Sequence, residues 1–196
     1  MYERRRRALL GLGGLLLGGL PGCGFRPLYA PITAEDGGSA DLLDELAAVR
    51  VGNIPERSGQ LLRRDLQRRF GGLRVGVPAR YGLQVAVAYS VEPLGYRRDG
   101  TITRLRYIAT GNWTLATLAV PPRQIAASAI PARALDAFNI PDLQFFAADS
   151  ARDAMEARLV DQLAEEIFRR VALELRRDRE RRAAAAGTGA ATATPG

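Results

Sequence analysis

The chain of 196 residues predicts an α+β domain in which two helices pack on one face of a mostly antiparallel four-stranded sheet. Two patterns predict this class. Apolar residues alternate with period two through the middle of the chain, and they recur every three to four residues in one stretch before it and one after it. The resulting order, β-α-β-β-β-α, lets consecutive strands pair as hairpins while both helices cover one face of the sheet.

The first strand and the first helix are predicted at the start of the domain. Residues 46–55 carry spaced apolar residues and end at Pro55, which suits the first turn of a helix. In 55–72, leucines and a phenylalanine form an apolar stripe with helical spacing, and Gly71-Gly72 ends the helix. The other side of this helix carries four arginines: Arg63, Arg64, Arg68 and Arg69.

Three strands follow this helix. In 81–90, a leucine, valines and a tyrosine alternate with small or polar residues, which is typical of a half-buried strand. A connection over 92–100 ends at Asp99-Gly100, a hairpin turn signal, and the stretch 101–118 is long and rich in strand-forming residues. A weaker strand is predicted at 123–133, where a proline favours the edge of a sheet.

The two faces of the long strand differ in chemistry. One face is largely apolar, and Trp113 on it is expected in the core. The opposite face carries Arg104 and Arg106, while Arg97 and Arg98 adjoin the predicted turn. Cross-sheet neighbours would join these arginines into one basic patch, and arginine binds phosphates and carboxylates through paired hydrogen bonds. The alternative is that the four arginines only solvate the uncovered face of the sheet.

The C-terminal part is predicted to be a long amphipathic helix. Residues 134–149 show no regular pattern and are expected to be irregular. Ser150 and Asp153 form a capping box, so the helix is expected to begin there. Apolar residues then recur every four positions from Met155 to Val171. The final AAAAGTGAATATPG is low in complexity and is expected to be disordered.

Charge and composition exclude several functions. Four of the arginines behind the net charge of +7 lie at the extreme N-terminus, so the domain is only mildly basic and no nucleic-acid partner is expected. Without histidine or lysine, Ser-His-Asp and serine–lysine sites are impossible. A single cysteine likewise excludes an internal disulfide and the usual zinc sites. We expect no catalytic residue, no metal and no cofactor.

The only cysteine, Cys23, follows a segment typical of secretory signal peptides. A positively charged start, YERRRR, precedes an apolar run over 8–20, which is shorter than the ~20 residues that span a bilayer. The alternative is a signal-anchor helix with an incidental cysteine, but the five glycines of this run disfavour a spanning helix. The tetrapeptide LPGC (20–23) resembles the bacterial lipobox, in which the cysteine thiol is linked to diacylglycerol and the chain is cut just before it.

This resemblance sets the predicted domain organisation. It implies a signal peptide over 1–22 and an acylated anchor at Cys23, with palmitate as a typical acyl chain, because several such chains hold a protein on a membrane. Gly24 stands where many lipoproteins of the inner membrane carry Asp, which implies the outer membrane. A lipidated tether and loop over 23–45, a folded domain over 46–178 and a disordered tail over 179–196 complete the expectation.

Several features together resemble the LptE family of lipopolysaccharide-assembly lipoproteins, in its alphaproteobacterial form. They are the lipobox cysteine followed by GFRPLY, the order of the predicted elements, AFN (137–139), and FFAADSARDAMEARLVDQLAEEIFRRV (145–171). The resemblance covers about residues 20–178, and its specific parts are Cys-Gly-Phe-Arg and the segment that leads into the last helix. It implies a protein that is not an enzyme, with two helices packed on a four-stranded sheet.

The resemblance also implies partners. LptE proteins sit as a 1:1 plug inside LptD, a large outer-membrane β-barrel, assist its assembly and its delivery of lipopolysaccharide to the outer leaflet, and can bind lipopolysaccharide. For this chain it implies a lipid-anchored protein on the periplasmic face of the outer membrane. The candidate residues for lipopolysaccharide binding are Arg97, Arg98, Arg104 and Arg106. A third interpretation is that these arginines meet polar groups in the barrel lumen.

Two other functions stay open at this point. An auxiliary periplasmic lipoprotein of a lipid-transport system would share the anchor and an α/β domain. An anchored hydrolase would have to work with Asp or Glu alone. A barrel partner favours the LptE interpretation, a copurifying transporter favours the auxiliary lipoprotein, and turnover of an ester or glycan favours the hydrolase.

Overall fold

The computed structural model describes residues 37–140 and 145–191. These residues form three helices and five strands. In chain order they are α1 (Gly37–Ala47), β1 (Val49–Val51), α2 (Arg57–Gly71), β2 (Tyr81–Tyr96), β3 (Ile102–Thr117), β4 (Gln124–Ala127), β5 (Ala132–Asn139) and α3 (Phe145–Ala191).

The sheet is built around the long hairpin of β2 and β3, which pair antiparallel from Tyr81↔Thr117 to Tyr96↔Ile102. The short β1 pairs parallel with the start of β2 and forms one edge. On the other side of β3, β4 and β5 pair antiparallel with different parts of the same strand and so lie end to end. The predicted α+β class is confirmed, with one more strand than expected.

The helices cover the sheet face that carries the odd-numbered residues of β2 and β3. Leu83, Trp113 and Leu115 point to that side and are at most 4% exposed, which confirms the expectation for Trp113. The predicted apolar stripe of α3 packs into the same core, and the rings of Phe70 and Phe168 lie 5.0 Å apart between α2 and α3. The other face, which carries the even-numbered residues of β2 and β3, is called the open face below.

Two predictions for the C-terminal part are wrong. Most of the stretch expected to be irregular is the strand β5 or the start of α3, which begins at Phe145. Ser150 lies more than a turn inside that helix, so its capping box does not mark the start. β5 was hard to detect because its core-facing positions include Ala132 and Ala134, which are too small to give a strong alternating pattern.

The ends of the domain also differ from expectation. Helix α1 begins at Gly37, inside the segment assigned to a tether and loop. Helix α3 continues to Ala191, although 179–196 was expected to be disordered. The extension is anchored by Arg182, whose guanidinium donates to Glu45 of α1 at 2.7 Å. The predicted signal peptide, the rest of the predicted tether and residues 192–196 lie outside the described residues.

Candidate functional site

The end of the β2–β3 hairpin carries all four predicted binding arginines. We call residues 91–106 the distal hairpin. In β2 the buried positions end at Val85, whereas Val91, Leu94 and Tyr96 are 46%, 40% and 61% exposed. The strand continues to Tyr96 through a segment that the sequence analysis treated as a connection. A register irregularity between Pro93 and Gly95 concealed this continuation, because it breaks the alternation of side chains.

The turn forms where Asp99-Gly100 predicted it. The backbone N–H of Arg97 donates to the carbonyl of Thr101 at 2.9 Å, and Gly100 has φ 85°, which favours glycine. The N–H of Thr101 also donates to Oδ1 of Asp99 at 2.9 Å. This backbone hydrogen bond lowers the pKa of Asp99, which therefore stays ionised in the turn.

The structure divides the predicted basic patch into two pairs. Arg104 and Arg106 lie on the open face of β3, as predicted, opposite Gly95 and Glu92 of β2. Arg97 and Arg98 lie one and two residues beyond the last strand pair, Tyr96↔Ile102, and belong to the turn. The two pairs are therefore neighbours along the hairpin, and their joint role as a binding patch stays a prediction.

Carboxylates reduce the charge of this surface. Nη1 of Arg106 lies 3.5 Å from Oε2 of Glu92, and both side chains are about half exposed, so water screens the pair. With Glu92 and Asp99 counted, the distal hairpin carries four arginines and two carboxylates. Arg98 and Arg104 are exposed to solvent. The surface is thus basic but not densely so, and it suits an anion that several arginines contact together.

This surface also carries an aromatic side chain that no sequence pattern predicted. Tyr96 pairs with Ile102, which lies on the same face of β3 as Arg104 and Arg106, and 61% of Tyr96 is exposed. Because 92–100 was predicted to be a connection, Tyr96 was not expected to lie beside Arg104 and Arg106. An exposed tyrosine beside arginines offers an apolar ring and a hydroxyl to a ligand that has both apolar and anionic parts.

The remaining charged residues mostly tie elements together. Arg69 of α2 bonds to Asp65 of its own helix and to Asp161 and Glu165 of α3. Arg158 of α3 donates to Asp136 of β5 at 2.7 Å. Asp161 and Glu165 on the acidic surface of α3 therefore pair with an arginine of the neighbouring helix α2.

A second cluster joins α1, β4 and α3. Asp178 accepts from both terminal nitrogens of Arg123 at 2.9 and 3.0 Å, and from Arg182 at 3.0 Å. The hydrogen bonds from Arg123 and the nearby guanidinium charges lower the pKa of Asp178. Both oxygens of Asp178 are hydrogen-bonded within the chain, whereas Oε2 of Glu45 is buried without a hydrogen-bond partner.

Two further features bear on the kind of site. Within 37–140 and 145–191, no group of three or more His, Cys, Asp or Glu side chains is placed to hold a metal ion. No helix in the same residues is long and apolar enough to cross a membrane. Cys23 lies outside the described residues, and its lipidation stays a prediction.

The family model of LptE, described as lipopolysaccharide-assembly, matches residues 46–171, from just before β1 into α3. The chain belongs to the LptE family. The match includes the whole sheet and the distal hairpin. The resemblance to the LptE family is therefore confirmed over residues 46–171. No curated protein matches the chain.

Solved structures show that the fold occurs elsewhere. A candidate lipoprotein from Caulobacter crescentus superposes with a TM-score of 0.53 at 23% identity, covering 69% of this chain and 95% of its own. A minor lipoprotein from Acinetobacter baumannii gives a TM-score of 0.49 at 14% identity, covering 64% of this chain and 90% of its own. The Caulobacter structure thus shares the fold of this LptE-family chain.

Proposed function

We propose that this chain is an outer-membrane lipoprotein that plugs the LptD β-barrel one to one and assists its assembly and the insertion of lipopolysaccharide into the outer leaflet. The LptE family match over 46–171 is the observation that carries this proposal. The proposed role is one of binding and assembly, without catalysis. It agrees with the contacts of Asp161, Glu165 and Glu166 of α3, which are paired with arginines of α2 and of α3 itself.

We further propose that Cys23 is the lipid anchor and that residues 1–22 are removed as a signal peptide. The lipobox-like LPGC (20–23) after a short apolar run supports this, and so do the lipoprotein descriptions of the similar structures. Several acyl chains on one residue would hold the domain at the periplasmic face of the outer membrane. The substitution Cys23→Ala should abolish labelling by a radioactive or clickable palmitate analogue; normal labelling of this variant would contradict the anchor.

The distal hairpin is the proposed contact for lipopolysaccharide. Lipopolysaccharide presents phosphates and carboxylates next to acyl chains, and the hairpin presents Arg97, Arg98, Arg104 and Arg106 beside the exposed Tyr96. Guanidinium groups bind such anions through paired hydrogen bonds, and the exposed ring of Tyr96 suits the apolar portion of the ligand. The lipopolysaccharide contact and the plug are separate proposals. The contact can be wrong while the plug is right.

The plug is tested by purifying the tagged, full-length chain from outer membranes in detergent and identifying what comes with it. A large β-barrel at one copy per copy of this chain is the expected result. Recovery with an inner-membrane transporter would instead support an auxiliary lipoprotein of a lipid-transport system. Recovery of this chain alone would contradict the stable 1:1 complex.

The binding surface is tested by replacing the four hairpin arginines with glutamine and measuring binding to lipopolysaccharide over a salt series. We expect weaker binding and a smaller salt dependence, because fewer charges are screened. The matched control is Arg63→Gln with Arg64→Gln, which removes two exposed arginines from α2, away from the hairpin. Equal affinities for the parent and the hairpin variant would exclude these arginines as the contact.

A further inference from the structure

A cavity of about 200 Å³ lies between α2, α3 and the covered face of the sheet, and we call it the hairpin cavity. Tyr89 and Tyr107 line it from the β2–β3 hairpin, Met155 and Leu159 from α3, and Ser58 from the start of α2. An apolar cavity of about 150 Å³ holds a benzene ring, so the hairpin cavity has room for a ring or for a short stretch of alkyl chain.

The interior of the hairpin cavity is apolar apart from hydroxyl groups. Met155 and Leu159 are each 1% exposed, and they form an aliphatic wall. Oη of Tyr89 is buried and has no hydrogen-bond partner among the described residues. Burial raises the pKa of Tyr89, and the nearby hydroxyl of Ser58 lowers it only in part. Because buried hydroxyls normally have partners, an occupant that carries an oxygen would complete this site.

The mouth of the hairpin cavity disfavours an anionic ligand group. Arg152 and Glu156 line both the cavity and a more open depression outside it. Two arginines and four carboxylates surround that depression: Arg57, Arg152, Glu56, Asp149, Asp153 and Glu156. The excess of carboxylates would repel a phosphate or a carboxylate, so the part of a ligand that enters here is uncharged.

Apolar side chains lead from the hairpin cavity toward the distal hairpin. Tyr107, which lines the cavity, pairs across the hairpin with Val91, and Val91 is 46% exposed. The ring of Phe138 lies 6.0 Å from that of Tyr107, and Phe138 is only half-buried. The cavity therefore continues into an apolar strip that the helices leave partly uncovered. An elongated apolar ligand fits this shape better than a compact ring does.

We propose that the hairpin cavity binds part of a single fatty acyl chain, with the hydroxyl of Tyr89 donating a hydrogen bond to an oxygen of the bound lipid. The rest of the chain lies along the apolar strip, and the headgroup stays outside. Arg97 follows Val91 by six residues, about 20 Å of extended strand, so the headgroup lies on the side of the hairpin arginines.

The proposal depends on the cavity alone. It would stand even if the hairpin arginines bound no lipopolysaccharide, and it requires no β-barrel partner. Lipopolysaccharide and membrane phospholipids both carry acyl chains, so the cavity recognises a chemistry that they share. Competition between the two lipids decides which of them supplies the chain.

Photo-labelling tests what enters the cavity. The full-length chain is transferred from detergent to an amphipol without added lipid and irradiated with the methyl ester of a fatty acid that carries a diazirine. This probe is uncharged and offers an ester oxygen to Tyr89. We expect mass spectrometry to find the label at Tyr89, at Tyr107 and within 155–159 of α3. Label found only on exposed residues elsewhere would overturn the proposal.

A filled cavity provides the first variant. Ser58→Leu places a larger apolar side chain in the cavity from the α2 side, and labelling of the cavity residues should fall several-fold. The matched control, Ser90→Leu, makes the same change on the open face of β2 and should leave labelling unchanged. Thermal unfolding checks that both variants are folded. Equal labelling of the parent and of folded Ser58→Leu would overturn the site.

Tyr89→Phe tests the hydroxyl without changing the shape of the cavity. Labelling should fall about five-fold, which corresponds to the loss of one typical hydrogen bond. The midpoint of thermal unfolding without the probe should not fall, because Oη of Tyr89 has no partner to lose among the described residues. A lower midpoint would show that the hydroxyl bonds within the chain, which would overturn its contact with the ligand.

Competition identifies the source of the acyl chain. Lipopolysaccharide or phosphatidylglycerol is added to the parent before irradiation. Loss of the cavity label with only one of them assigns the chain to that lipid, and loss with both assigns it to membrane lipids in general. Each of these results supports an acyl-chain site. Labelling that neither lipid reduces would be non-specific and would overturn the site.

Discussion

Asp178 is the residue at which β4 and the two ends of the described domain meet. Its side chain is 4% exposed, and it accepts hydrogen bonds from Arg123, which immediately precedes β4, and from Arg182 of α3, which also donates to Glu45 of α1. A buried carboxylate is tolerable because guanidinium groups surround it. No sequence pattern predicts this cluster, because its paired members are 55 and 137 residues apart and only the fold brings them together.

Asp178→Asn should destabilise the domain. The amide keeps the shape and one acceptor oxygen, but it removes the charge and replaces the other oxygen with an NH2 group that cannot accept from the guanidinium groups, so we expect a loss of about 2–4 kcal/mol in the free energy of unfolding. Urea denaturation followed by circular dichroism measures it. The control is Glu180→Gln, which breaks the exposed pair with Arg176 in the same helix and should cost less than about 0.5 kcal/mol. Equal effects of both variants would contradict a special role for Asp178.

The lowered pKa of Asp178 also predicts how this contribution depends on pH. A carboxyl group with a pKa that is lower in the folded state stabilises the fold fully above its unfolded pKa, which is about 3.9. The stabilisation is lost as pH falls through the folded pKa. The difference in unfolding free energy between the parent and Asp178→Asn should be constant from neutral pH to about pH 5 and shrink below about pH 4. A difference that grows in acid would show that another group titrates instead.

At the scale of elements, α3 shows what sequence patterns do and do not determine. Its body could be predicted, because bulky apolar residues with helical spacing, from Met155 to Leu175, all face the core. The two ends of α3 could not be predicted. The capping box at Ser150 lies inside the helix and does not mark its start. The C-terminal extension is held by hydrogen bonds with Glu45 of α1 and with Arg123, just before β4, and these distant contacts leave no local sequence pattern.

Two truncations of α3 separate its anchored part from its remainder. Ending the chain after Arg182 removes alanines that are exposed up to residue 186, and it keeps Asp178 and Arg182, so the midpoint of thermal unfolding should be nearly unchanged. Ending it after Leu175 removes both residues and leaves Arg123 and Glu45 without their partners, which should lower the midpoint by roughly 5 °C or more. Similar midpoints for the two truncations would show that the cluster contributes little. A large drop for the longer one would show that residues beyond Arg182 are structural.

At the scale of the whole molecule, burial falls off along the hairpin. Around Leu83 and Leu115 the sheet is covered by helices, whereas the end of β2 from Val91 to Tyr96 is largely exposed. The alternating pattern predicted the covered half correctly, because burial of one face imposes it. The exposed end of β2 escaped prediction because no core selects its side chains, whereas the paired part of β3, with Arg104 and Arg106, was predicted from its strand-forming residues.

Hydrogen exchange should follow the same gradient. Amides in peptides from 90–97 should exchange faster than those from 81–87, because local opening costs less where few apolar contacts must be broken. A difference would reflect the weaker packing of 90–97 together with its irregular pairing beyond Pro93 and its lack of a β1 partner, because β1 pairs only with Tyr81–Leu83. Deuterium uptake of the detergent-purified chain measures it. Uniform protection along β2 would mean that the distal hairpin is covered, which the described residues do not show.

The bond between Arg182 and Glu45 has a consequence for the order of folding. These residues are 137 positions apart in the chain, whereas the β2–β3 hairpin joins neighbours across a short turn. Closing a long loop costs more chain entropy than closing a short one, and non-local contacts form late in folding. We therefore expect the hairpin to form early and α1 to dock last, once the far end of α3 has arrived. In a chain that is still emerging from a ribosome or a translocon, the β2–β3 hairpin would therefore form before α1 contacts the C-terminal part of α3.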